Sequence, residues 1–219
     1  MQYQTEPVES LAPDLGPAFT WIAGLLDGED PMAGLPEMID LMPPSFWTID
    51  GFARVRKIIG AASVKLASQI ESGTGKHDPR SVWESERIRL FDICPGGVPA
   101  PPYGSWWMEG RLMGETTTAV ARFYQEEQLA ARKGLADYLP TELMFLSCLL
   151  ARQGEEPDAV KWLRREQDFL DQFLLPWVPA FCVAGEKAGR IELWWHVLNA
   201  LAELLIREHN RLQALASAP

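Results

Sequence analysis

Cysteine, histidine and early positive charge are all scarce in this chain of 219 residues. Its three cysteines, Cys94, Cys148 and Cys182, stand 54 and 34 residues apart, which encodes neither a zinc knuckle nor a disulfide framework. A reducing compartment is the simplest setting. With only three histidines beside them, a metal site or a Cys/His nucleophile pair lacks its parts. Long apolar runs are missing as well. The most apolar stretch, Leu143 to Ala151, has 9 residues including Ser147, against about 20 needed to cross a bilayer, so no transmembrane helix is expected.

No Lys or Arg precedes Arg54, whereas nine acids do: Glu6, Glu9, Asp14, Asp27, Glu29, Asp30, Glu37, Asp40 and Asp50. These carry nearly all of the formal net charge of −10. Secretory signals open on a basic region and mitochondrial presequences are basic and acid-poor, so this start predicts a cytoplasmic protein. Acidity also disfavours nucleic acid, whose phosphates are held by Lys and Arg. Two readings of the acidic start stand: a solubilising charge, or an attraction for a basic peptide.

Catalytic constellations are equally thin. Gly73-Thr74-Gly75-Lys76 resembles the end of a phosphate loop, but the motif needs Gly and Ser/Thr where the chain has Ile70 and His77, which leaves an inter-helix turn. His196 follows Glu192 by four residues and His209 follows Glu208 directly, neither at the Glu-x-x-His spacing of a di-iron bundle; both read as solvated. Ser105 lacks the GxSxG turn of a hydrolase nucleophile. Arg164-Arg165 lies mid-chain in a helical segment and reads as a solvated face. No catalytic residue, metal ligand or cofactor of the protein's own is expected.

What is present is apolar bulk: 47% hydrophobic against 23% charged residues, with nine Trp and nine Phe. That is enough for one core, and residues 1–219 are expected to form a single all-α domain of about eight to ten helices. Asp50 is placed to N-cap a helix over about 51–71. Pro140 suits the first turn of a helix over 141–153 that Gly154 would close, and Pro157 does the same for 158–172. The last helix, about 189–212, shows an apolar stripe of Ile191, Trp194, Trp195, Leu198, Ala202 and Leu205 opposite Glu192, His196, Asn199, Glu203 and Arg207. Between helices lies one stiff loop, Cys94 to Tyr103, with four prolines and two glycines. Phe91, Tyr103, Trp106, Trp107, Phe123 and Tyr124 gather around it. They either line a groove for an apolar peptide or fill the core.

These residues carry a resemblance. Arg89-Leu90-Phe91, the loop Val98-Pro99-Ala100-Pro101-Pro102-Tyr103-Gly104-Ser105-Trp106-Trp107, Leu112-Met113-Gly114-Glu115 and Phe123-Tyr124 follow one another as in the TorD/DmsD/NarJ-like redox enzyme maturation chaperones. Asp137-Tyr138-Leu139-Pro140-Thr141-Glu142-Leu143-Met144-Phe145 is similar to that family's Asp-His…Glu-Leu-x-Phe motif, and Phe169-Leu170 with Leu174 to Phe181 is similar to a later element. The resemblance runs from about 89 to 181 and only loosely, through Phe19, Ile22 and Leu25, before it.

It implies a cytoplasmic all-helical chaperone that binds the twin-arginine signal peptide of a molybdenum oxidoreductase catalytic subunit precursor. The chaperone would hold that subunit back from export until molybdopterin guanine dinucleotide is inserted, with the cofactor biosynthesis machinery as a further partner. On this resemblance Leu90 and Phe91 form part of an apolar wall, Tyr103 is the loop aromatic beside Trp106 and Trp107, and Ser105 fixes the turn. Asp137 meets the arginines at the groove mouth, although an Asp there also suits a turn or helix cap. Glu142 is the motif's second acid. Tyr138 replaces the usual His and removes a titratable imidazole. Guanine nucleotide, linked to some members, finds no phosphate cradle here. The alternatives are a subunit retained in a redox complex and a helical enzyme.

Overall fold

The computed structural model describes residues 15–42, 46–72, 78–131, 134–155 and 159–217. The acids Glu6, Glu9 and Asp14, the turn Gly73 to Lys76 with His77, and Pro157 with Asp158 lie outside the described residues. Among those described there are ten α-helices and no strand: α1 (Leu15–Asp27), α2 (Pro31–Leu41), α3 (Asp50–Ser72), α4 (Pro79–Arg87), α5 (Gly104–Glu109), α6 (Glu115–Glu126), α7 (Leu139–Glu155), α8 (Ala159–Phe169), α9 (Val178–Ala188) and α10 (Glu192–Ala216). The all-α expectation holds. Two of the helices loosen into π-turns at their ends, α4 over Ile88–Asp92 and α8 over Leu170–Leu174.

Local chemistry explains the starts. Asp30 and Asp78 cap α2 and α4, each accepting from the amide two residues on (2.9 and 3.0 Å) with Pro next in line. Asp50 does not do this: α3 begins at Asp50 itself, and the carboxylate turns along the helix to Arg54 Nε at 2.8 Å. Gly154 sits inside α7, which runs one residue further.

One buried cluster joins the helices, with Phe19, Phe52, Phe169, Trp177, Phe181 and Trp194 among its largest members. Each fully buried large side chain contributes about 1.5–3 kcal/mol. α1 packs along α7, and α10 lies against both α3 and α9. The α3–α10 approach is backbone to backbone: a Cβ at Gly51 would come within 2.7 Å of the Ala200 amide nitrogen.

Because α10 is covered on more than one side, its buried face is wider than the predicted stripe. Trp194, Leu198 and Leu205 are buried as expected, but Leu193, Val197, Leu201 and Leu204 join them, while Trp195 and Ala202 are half-buried. Toward its end α10 also buries charge. Glu208 and Arg211 meet Glu166 of α8 and Gln153 of α7, all hydrogen-bonded in one network around Glu166 and Arg211. Burial and the neighbouring Glu208 push the Glu166 carboxyl well above its ordinary value, against the pull of Arg211.

The polar residues read as solvated are partly enclosed. His196 lies 3.3 Å from Glu192 and His209 3.1 Å from Asp171, both half-buried. Arg164 is exposed, but Arg165 is folded over the Phe123 ring at 3.7 Å and paired with Glu126 at 3.0 Å.

Candidate functional site

The stiff loop leaves the π-turn of α4 and is pinned at both roots. Ala100 N–H donates to Leu90 O (3.0 Å), and beyond it Leu139 N–H donates to Pro102 O and Gly104 N–H to Asp137 O (both 2.9 Å). Tyr103 and Tyr138 face each other across this short antiparallel bridge. The prolines remove donors that a helix would need, so the loop's few amides are met from 137–139 instead.

Asp137 is the buckle. Its Oδ2 accepts from Ser105 N–H at 2.7 Å, capping α5, and the residue is 0% exposed. It therefore does not stand at a solvent-facing mouth in this structure. The cap reading of its sequence position is realised, but on α5, 32 residues earlier, and not on the helix that follows it. Glu142 is sealed one turn along α7. Burial, and then the charge of Asp137, push its carboxyl well above the ordinary range, so the fold favours its protonated form. Both Glu142 oxygens, Asp137 Oδ1 and Ser105 Oγ make no hydrogen bond among the described residues.

The predicted ring wall divides in two. Leu90 and Phe91 are buried, Phe91 packing edge-on to Trp194 at 5.5 Å and tilted on Phe181. Phe123 and Tyr124 are likewise core, stacked among Phe145, Phe169 and Phe173, with Tyr124 Oη donating to Ala136 O at 2.9 Å. Trp107 is half-buried, its Nε1 donating to Pro101 O at 2.7 Å. What reaches solvent is Trp106 at 44%, with Tyr103 and Trp107 in part. Along the chain after Trp106 the structure exposes residues that the pattern of rings did not mark: Met108, Leu112 and Met113, the last 72% exposed and held at φ 59°. Gly110, at φ 71°, ends α5 and turns the chain toward them.

On the other side of Tyr103 the charge is negative. Its ring stacks on Tyr138 with centroids 5.2 Å apart, and Tyr138 Oη donates to Asp27 Oδ1 at 3.1 Å. Burial and then the charge of Asp27 raise the Tyr138 phenol; burial, Asp92, Asp137 and Asp27 raise that of Tyr103. Both phenols stay neutral at physiological pH. Asp92 is fixed by Arg87 at 2.9 Å, and Arg87 in turn is gripped by Glu84 (2.8 Å) and Leu26 O (3.1 Å). Asp27 and Asp92 were legible only as members of an acidic composition, since the fold brings them together from α1 and the end of the α4 π-turn. Among the described residues, no group of three or more His, Cys, Asp and Glu is placed to hold a metal ion, and no helix is long and apolar enough to cross a membrane.

An all-helical chain with the Leu-Phe, proline-loop and Asp…Glu blocks in this order is a redox enzyme maturation protein of the TorD, DmsD and NarJ kind. The model of the nitrate reductase delta subunit family matches residues 55–183, more than half of the sequence, and the chain belongs to that family. The family acts in molybdoenzyme maturation as an assembly factor. A search among curated proteins found no match.

Proposed function

We propose that this protein binds the twin-arginine leader of a molybdenum oxidoreductase catalytic subunit precursor in the cytoplasm and retains the apo-subunit while its molybdopterin cofactor is inserted. One observation carries this reading: carboxylates, rings and exposed apolar side chains succeed one another from the Tyr103–Tyr138 bridge through α5 to the turn before α6. Asp27 and Asp92 flank the stacked Tyr103 and Tyr138, Trp106 follows one turn into α5, and Met108, Leu112 and Met113 extend the apolar end. A leader presents a basic end followed by an apolar stretch, so its order of chemistry matches. A cation gains from both the carboxylates and the ring faces, and methionines adapt to side chains of differing shape. The proposed peptide contacts are thus Tyr103, Tyr138, Trp106 and the half-buried Trp107. Leu90, Phe91, Ser105, Asp137 and Glu142 support them from inside.

The test is calorimetric titration of a leader peptide into the full chain. Trp106→Ser with Met113→Ser should weaken binding about tenfold or more while leaving the urea midpoint in place, because both side chains already face water. Added salt should weaken binding by the wild type. An unchanged affinity in both arms refutes the reading. Co-purification with a mature, cofactor-loaded enzyme would favour a retained subunit instead.

A further inference from the structure

Across Arg87 from the tyrosine pair, the turn between α1 and α2 and the helix α4 enclose a cleft of about 170 Å3. Leu25, Trp83 and Trp194 give it an apolar floor, and Glu29, Asp30 and Glu84 bring carboxylates to its lining. Two arginines also line it, but both are already engaged. Arg80 is held by Asp78 at 2.6 Å and by Asp30 at 3.5 Å; Arg87 is held by Glu84 and Asp92. Counting Asp27 on the tyrosine side, six carboxylates share two guanidinium groups along this edge. Glu29 has no ion pair among the described residues. Gly28, at φ 97°, brings the turn so close over Arg87 that an added Cβ would lie 3.3 Å from the guanidinium.

Surplus negative charge excludes an anion from this cleft, and the apolar floor suits the alkyl stem of a long cationic side chain. The cleft and the tyrosine pair are separated by one guanidinium. Arg87 Nη1 binds Asp92 on the tyrosine side, and Nη2 binds Glu84 on the cleft side. Successive side chains of an extended segment point to opposite sides, so two adjacent basic residues can straddle Arg87.

We infer that the cleft at Gly28 is a second cation subsite, taking the guanidinium or ammonium group of the residue next to the one held at Tyr103 and Tyr138; this rests on the leader-binding reading. Two positive charges are then read in tandem, one against stacked rings with Asp27 and Asp92, the other in the cleft with Glu29 and Asp30. The experiment uses three peptides: a leader with two adjacent arginines, and the same leader with the first or the second arginine replaced by Gln. Each is titrated into the full-length wild type and Glu29→Gln. Glu29 is exposed and unpaired, so the variant should keep the wild-type urea midpoint. Glu29→Gln should weaken the two-arginine peptide ~5-fold. It should leave unchanged the affinity for whichever Gln peptide lacks the cleft-bound arginine. No loss, or an equal loss for all three peptides, overturns the second subsite while leaving leader binding intact. Failure of the wild type to bind the two-arginine peptide overturns both.

Discussion

Raising the pH above the ordinary glutamate range should make this protein easier to unfold, because it buries carboxyl groups that the fold holds toward their protonated form. Glu142 is enclosed beside the charge of Asp137 with no hydrogen bond to either oxygen among the described residues, and Glu166 is enclosed against Glu208 with one arginine between them. In the unfolded chain both groups titrate at the ordinary glutamate value, about 4.3; in the native state both titrate well above it. Below that value both states hold the proton and stability does not vary with these groups. Above it the unfolded chain releases a proton that the native state retains. Stability therefore falls by about 1.4 kcal/mol per pH unit for each such acid, until the pH reaches the native value. Against a total of about 5–15 kcal/mol the loss is large. Glu142→Gln places a neutral amide of the same shape there, next to the free Asp137 Oδ1, and should remove one acid's share of the slope. Glu166→Gln should remove the other. Urea unfolding followed by tryptophan fluorescence at pH 5, 6, 7 and 8 measures the slopes. If wild type and both variants lose stability in parallel, the buried groups are not the source and the argument fails.

Two further perturbations probe the frame. Asp137→Ala removes the cap of α5 and frees the Tyr103 root of the loop, so it should cost about 1–2 kcal/mol of stability and weaken leader binding through displacement of the rings; a stable variant that still loses binding would make Asp137 a direct contact. Gly51→Val should separate α3 from α10 and destabilise by about 1–3 kcal/mol, read as a drop in urea midpoint, and an unchanged midpoint would refute the close backbone approach.

The helices were legible because their signals are local. A proline in the first turn of α7 and the period of α10 need only neighbours along the chain. The errors arose where a second element intervenes. Arg165, read with Arg164 as a solvated face, instead lies over the Phe123 ring of α6 and pairs with Glu126. The site was half visible for the same reason. Phe123 and Trp106 are indistinguishable as aromatic residues near a loop, yet one meets α7 and α8 and the other meets water. Asp137 could be read as a cap, but its partner helix lies far back in the chain. Asp27 and Asp92 had no motif at all, being joined only by the fold.

The proline loop has fixed roots and an open tip. Gly96 and Gly97, at φ 91° and 108°, have nothing among the described residues within 4 Å of where a side chain would begin. Chain length at that tip is thus uncoupled from the position of Tyr103, which makes it a natural insertion point for a short dye-binding tag. A reporter placed there would share a loop with Tyr103 while leaving its pinned roots untouched, so client capture and release could be followed by fluorescence in a working chaperone.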